Sequence, residues 1–310
     1  MNKMPKIAII GLSGESIFMK VDHFHHPGET LVSQDFHSEP GGKGFNQAVA
    51  VSRLGGIAHF LSAVGDDAYG VSCEQYLLDQ GVIPHLKVKF GHKTAYASIL
   101  TDKEGENRVT VFPGAALELG TSDVLDFEAV IADSSILLVQ LEVPISIVKQ
   151  AIRIANRHRV PVILNPAPAK PLDKEILDGV AVLTPNEEEA RFLCGLSKNE
   201  KEEVLLEALQ ALNKTIIVTR GKQGAVIIEN HKVSIIPGMV VECLDSTGAG
   251  DVFNAALAVG LGLKTTLLEA ARFANAAAAL SVTKEHVMKA IPTRAETEAF
   301  IRKQGEKAWI

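Results

Sequence analysis

From residue 121 onward this chain alternates strand-like with helix-like runs, and the alternation leaves few folds open. Ile136–Leu141 is short and apolar, as a buried strand is, and a helical pattern from Ile145 to His158 follows it. Val162–Leu164 and Val180–Leu183 read as further strands, and Glu187–Cys194 and the amphipathic Glu200–Leu212 read as helices. Thr215–Thr219 and Ala225–Glu229 read as strands again. Two long apolar helical runs close the series, one reaching Leu263 and one from Thr266 to Val282. Parallel strands need long crossovers, which helices provide. The pattern predicts an α/β fold, a mostly parallel sheet with helices on both faces. Ligands of such sheets bind beyond the carboxyl ends of the strands.

The first third is less regular. Lys6–Ile10 reads as a buried strand ended by Gly11. Ser16–Val21 and Thr30–His37 flank the turn signal His26-Pro27-Gly28 and lack helical spacing, so they read as an antiparallel excursion. Pro40–Gln47 reads as a glycine-rich loop entering a helix over Ala48–Leu54, which Gly55-Gly56 closes. Ile57–Val64 is the next strand, followed by a helix that ends near Gly81. Ala95–Leu100 and Val109–Phe112 flank the polar turn Asp102–Asn107 as a β-hairpin. The excursions near 14–38 and 91–112 are expected to pair into a small β-lid. With 310 residues and no break in composition, the chain reads as one domain over 1–310.

Composition narrows the partners. The net charge is −6 and no long basic run occurs, which argues against nucleic acid and against an anionic membrane surface. Cys73, Cys194 and Cys243 form no C-x-x-C pair, which fits a reducing compartment better than a disulfide framework or zinc site. No stretch approaches the roughly 18 apolar residues of a membrane span. The apolar run at Ile7–Ile10 is too short for a signal-peptide core. A soluble, cytoplasmic protein is expected.

Several strings could carry chemistry. Asp245-Ser246-Thr247-Gly248-Ala249-Gly250-Asp251 sets three small residues between carboxylates where a long helix should begin. It reads either as a cap turn or as an anion site, because helix N-termini present unpaired N–H groups and glycines let an anion approach. Gly41-Gly42-Lys43-Gly44 with Asn46 is either a plain helix start or a polar ligand cradle. Asn186 and Glu189 sit three apart after a strand, which suits a capping box and equally suits water-mediated Mg²⁺. Thr219-Arg220-Gly221 and Gly224 form a hairpin turn or the floor for a flat ring. His23, His25 and His26 lie beside a Pro-Gly turn and read as a solvated cluster. No P-loop, G-x-G-x-x-G, H-E-x-x-H or G-x-S-x-G string occurs.

In order and spacing, these strings resemble the ribokinase/PfkB family of sugar kinases, most closely its ribokinase branch. Residues 41–47 are similar to the family's first signature and 245–251 to its second. Leu141-Glu142, Asn165-Pro166-Ala167-Pro168, Thr184-Pro185-Asn186-Glu187 and Thr219-Arg220-Gly221 fall between them in the family's order. The resemblance implies a doubly wound α/β kinase domain, a β-lid that often makes a homodimer, and ATP-dependent phosphorylation of a sugar hydroxyl. It implies Asp251 as catalytic base, with an anion hole from the amides of Gly248, Ala249 and Gly250. It places Gly42, Lys43 and Asn46 on the sugar, with Glu142 nearby. It assigns Asn186 and Glu189 to Mg²⁺ and phosphates, and Asn186, Thr219, Gly221, Gly224 and Asn275 to the ATP site. Asp245 matches a position linked to a monovalent cation, K⁺ in this family. In the first turn of a helix, Asp251 is expected to stay ionised.

The chain leaves the family pattern at two places. Ribokinases usually carry an Asn and an Asp after the first strand to grip ribose hydroxyls, and here Gly14 and Ser16 stand there. The acceptor is thereby open among ribose, another sugar and a nucleoside, the last expected to use a pocket widened at Gly14 and Ser16. The second departure is Lys284–Ala290, where the family has a loop of small residues beside the cation. A reading of another class is a non-catalytic relative that senses a sugar or nucleotide. The intact Asp251, its glycines and the Asn186/Glu189 pair argue against it.

Overall fold

A computed structural model describes residues 4–305; the outermost residues of the expected 1–310 domain lie outside the described residues. The strands, in chain order, are β1 (Lys6–Ile10), β2 (Gly14–Lys20), β3 (Asp35–Gly41), β4 (Ile57–Gly65), β5 (Ile83–Lys89), β6 (Ala95–Thr101) and β7 (Asn107–Phe112). They continue as β8 (Ile136–Val139), β9 (Val162–Leu164), β10 (Val182–Leu183), β11 (Thr215–Thr219), β12 (Gly224–Glu229) and β13 (Lys232–Pro237).

Nine strands form one sheet in the order β13-β12-β11-β10-β9-β8-β1-β4-β5. From β11 to β5 all neighbours run parallel, and β12 and β13 add antiparallel at one edge. The chain enters at β1, moves outward through β4 and β5, then crosses back to β8 and builds the other half. The direction of winding switches between β1 and β8, the crevice where such sheets bind ligands.

Alternation along β1 shows why its residues are apolar without a break. Ile7 and Ile9 enter one core with the helices Lys43–Arg53, Ala249–Gly262 and Leu267–Ser281. Ala8 and Ile10 enter a second core with the helix Ile145–Arg157. Each face of a strand buried on both sides must be apolar. The two alanine-rich helices lie close, since a Cβ on Gly260 would stand 2.8 Å from the Ala270 Cβ. Thr266 and Glu269 close a capping box at the start of the second one.

Four strands form a separate small sheet in the order β3-β2-β6-β7. The pairs β2–β3 and β6–β7 are antiparallel, and β2 joins β6 in parallel at the seam. The expected excursions near 14–38 and 91–112 thus meet in one sheet. The stretch Pro40–Gln47 is not a loop. Pro40 and Gly41 finish β3, the helix begins at Lys43, and Gly42 alone makes the corner at φ +103°. A Cβ on Gly42 would stand 2.7 Å from the Leu12 carbonyl oxygen, so only glycine turns there.

The strands β5 and β13 have no counterpart in the pattern reading. Both are edges: β5 contains Pro84 and two lysines, and five of the six β13 residues are exposed. Edge strands carry charge and proline rather than an apolar signature. Among the described residues no helix is long and apolar enough to cross a membrane.

Candidate active site

At the switch point, the helix Lys43–Arg53 docks onto the end of β1. A Cβ on Gly11 would stand 2.7 Å from the Gly44 Cα, so the two backbones need glycine on both sides. This contact brings Asn46 and Gln47 beside the first turn of the helix Ala249–Gly262, where Asp251 sits. Asn46 Nδ2 donates to Asp251 Oδ2 (2.8 Å), and Gln47 Nε2 donates to Asp251 Oδ1 (3.0 Å). Asp251 is only 5% exposed. Burial pushes its carboxyl up, against the pull of Lys43 and the two amides. Burial thus works against the helix terminus, which favours the ionised form.

Lys43 is the shared counter-ion. Its backbone N–H donates to Glu142 Oε2 (2.8 Å). Burial would lower the ammonium, but Asp251, Glu142 and Glu189 around it hold it above its ordinary value. Burial pushes Glu142 up to about 7 in spite of Lys43, and pushes Glu189 up as well. The charges of Asp251, Glu142 and Glu189 thus all act on Lys43, from three distant stretches of the chain.

Gly248 caps the helix in the left-handed region at φ +78°. A side chain there would strike Val287, with Cγ1 at 2.6 Å. The Gly248 and Gly250 N–H groups have no acceptor among the described residues, whereas the Ala249 N–H leans on the Ser246 carbonyl at 3.3 Å. Asp245 accepts from Thr247 N (2.9 Å) and His286 N (3.3 Å), which ties the Lys284–Ala290 segment to this turn.

On the other side of this helix start lies a cavity of about 580 Å³. Asn186, Thr219, Gly221, Gly224, Gly250 and Asn275 line it, and Val240, Phe253 and Ala279 supply apolar wall. Gly224 is obligatory there: at φ +90° its Cβ would stand 2.1 Å from the Ile236 carbonyl oxygen. Asn275 is oriented by donating to the Pro237 carbonyl (3.1 Å). Asn186 and Glu189 form the capping box in both directions, Glu189 N to Asn186 Oδ1 (2.8 Å) and Asn186 N to Glu189 Oε2 (2.9 Å).

Ser16 and Asn46 both border Gly41. A Cβ on Gly41 would stand 2.5 Å from Ser16 Oγ and 3.8 Å from Asn46 Oδ1. The buried Asn46 Oδ1 has no partner among the described residues. Gly14 opens no space: its Cβ would stand 2.4 Å from the Ala95 carbonyl oxygen, so the widening expected at Gly14 is filled by β6. The histidine cluster stands apart at the surface, where His23 pairs with Glu29 (3.1 Å).

Pattern reading passed over Glu39, Gln47 and Gln140. Glu39 is buried in β3 and accepts from Val287 N (2.8 Å) and Met288 N (3.3 Å), fixing the segment that presses on Gly248. The signal available for Gln140 was a lone amide at the end of an apolar strand, next to Glu142.

The profile of the pfkB family carbohydrate kinases matches residues 4–294. The chain belongs to the pfkB family. A ribokinase of Haemophilus influenzae is 37% identical over 95% of this chain and 98% of its own length. The ribokinase of Giardia lamblia has the same fold, with a TM-score of 0.90 over 97% of this chain and all of that one, at 26% identity. The ribokinase of Arabidopsis thaliana, solved with ribose and ATP, matches with a TM-score of 0.88 at 27% identity, over 97% of this chain and 99% of that one. Membership in the pfkB family makes this protein a carbohydrate kinase of ribokinase type, on the doubly wound sheet with a small second sheet described above.

Proposed function

We propose that this kinase transfers the γ-phosphoryl group of ATP to a sugar hydroxyl, with Asp251 as the base. The observation that carries the reading is the division of labour in one helical turn. Gly250 faces the 580 Å³ cavity, while Asp251, the next residue, faces Asn46, Gln47 and Lys43. A nucleotide in the cavity and a sugar beside Ser16 and Asn46 would meet at that turn. The ATP and ribose held by the Arabidopsis relative support this pairing of ligands.

In this reading Asn46 Oδ1, an acceptor without a partner, takes a sugar hydroxyl, with Ser16 Oγ beside it and Glu142 across Lys43. The reacting hydroxyl lies against Asp251, which orients it and accepts its proton late in transfer. Phosphoryl transfer needs positioning and charge neutralisation more than covalent help. The Gly248 and Gly250 N–H groups and the helix dipole face the developing charge. The engaged Ala249 amide contributes only if its long bond to Ser246 opens.

Bound Mg²⁺ would supply charge neutralisation on the phosphates. Among the described residues no three His, Cys, Asp or Glu side chains converge to hold a metal. The ion would be held mainly by waters and phosphates, since Mg²⁺ retains much of its hydration. Asn186 and Glu189 would be the residues that hold such waters. A K⁺ ion at Asp245 would share oxygens that already accept backbone N–H groups.

The whole described chain acts as one kinase unit, with the small sheet as lid over the sugar. Phe36, Val109, Val111 and Phe112 expose apolar surface on that sheet, which supports a homodimer through it. ADP release over pentoses, hexoses, keto-acid sugars and nucleosides, with and without K⁺, tests the acceptor. Turnover with a sugar is expected, and the relatives' activity puts ribose first. ATP binding without turnover on any acceptor would favour the sensing role instead.

A further inference from the structure

We propose that Gln140 and Gln47 form a positioning relay that holds the Asp251 carboxylate in its working orientation; this rests on the reading of Asp251 as base. Both glutamines are fully buried, and a buried amide is costly unless its groups are bonded. Gln47 lies in the helix Lys43–Arg53, and Gln140 directly follows β8. Gln140 Nε2 donates to Gln47 Oε1, and Gln47 Nε2 donates to Asp251 Oδ1.

The chemistry of these groups allows only this direction. An ionised carboxylate accepts and cannot donate, so Gln47 must turn its NH₂ to Asp251. Its carbonyl then points away and needs a donor, which Gln140 supplies. Asn165 reinforces the choice: its Nδ2 donates to the Thr184 carbonyl (3.1 Å), leaving Oδ1 facing Gln47 Nε2 at 3.5 Å. From Thr184 the network returns to the same helix, through Thr184 Oγ1 to Asn254 Oδ1 (2.5 Å) and Asn254 Nδ2 to the Gly250 carbonyl (2.8 Å). The ends of β8, β9 and β10 are thereby wired to the turn that carries Gly250 and Asp251. Gln140 Oε1 is buried without a partner among the described residues. What Gln140 contributes to the relay is its Nε2 donor.

The charged groups facing Asp251 are Lys43, Glu142 and Glu189. Lys43 favours its ionised form and the two carboxylates oppose it. The relay adds to the Lys43 side, and it fixes orientation, which Lys43 as a point charge does not.

The test compares Gln140→Met, Gln47→Met and Gln140→Glu with Asp251→Asn, reading kcat, KM for each substrate, nucleotide affinity and the pH profile. Either methionine variant is expected to lower kcat about tenfold and move the acidic limb up by about one pH unit, with nucleotide affinity unchanged. Gln140→Glu should be worse than Gln140→Met despite its closer shape, because a carboxylate there draws the Gln47 NH₂ away and turns its carbonyl toward Asp251. If both methionine variants bind nucleotide normally and keep the wild-type acidic limb, the relay is overturned. If Asp251→Asn itself turns over normally, the base assignment falls instead, so the two failures are distinct.

Discussion

Glu142 is where burial and charge pull hardest against each other. Its carboxyl rises from an ordinary 4.5 to about 7 on folding, chiefly through desolvation. A group raised in this way contributes stability that is complete below about pH 4.5 and is lost as pH rises through about 7. Glu142→Gln removes that slope. Its melting temperature should gain on wild type as pH goes from 5 to 8, by on the order of 2 kcal/mol in stability. A constant difference across that range would show that Glu142 is already ionised at low pH. The two glycines before Asp251 should respond differently. Gly248→Ala meets Val287 and a left-handed φ, and should cost roughly 1–3 kcal/mol of stability. Gly250→Ala meets nothing within 4 Å and should keep the melting temperature, yet lose turnover because its methyl enters the cavity proposed for the nucleotide. Comparing thermal melts with kcat for the pair checks both statements. At this scale the glycines, Lys43, Asn46 and Asp251 were legible because their types are unusual at a strand-to-helix junction. Glu39 and Gln140 were not, because a single polar residue at the end of a strand has no spacing to betray its partner. The raised Asp251 carboxyl was illegible too, since burial belongs to the packing of several distant segments.

Elements were legible where both of their faces are buried. β1, β8, β9 and β11 read as apolar runs, and the helices Ile145–Arg157 and Leu267–Ser281 showed their buried stripes. The edges β5 and β13 did not, for the opposite reason: solvent accepts Lys, Ser and Pro there. The turn after β4 shows how two elements are fastened. Asp67 caps the helix Ala68–Asp79 through Gly70 N (3.1 Å) and also accepts from Thr94 N (2.9 Å) and Thr94 Oγ1 (2.6 Å), just ahead of β6. These bonds outweigh burial and hold its carboxyl below the usual range. Asp67→Ala should cost about 2 kcal/mol, more than an exposed cap alone, because it also frees the entry to the small sheet. Chemical denaturation of the variant checks this, and a loss under 0.5 kcal/mol would show that the Thr94 contacts are dispensable.

Across the whole molecule, the topology decides where chemistry can occur. Winding reverses between β1 and β8, and residues from 11 to 251 converge there although the sequence spreads them over most of the chain. The order of the signatures made the fold legible. The way the small sheet closes on the core was not, since it depends on the β2–β6 seam and on Glu39 reaching Val287. The proposed mechanism rests on Asp251 as the base at the boundary between a nucleotide cavity and a sugar site. Steady-state turnover of Asp251→Asn, measured beside its ATP affinity, tests it most directly. The expected result is a loss of kcat of at least about a thousandfold, with ATP affinity within about twofold of wild type. Turnover near the wild-type rate in a folded, ATP-binding variant would contradict it.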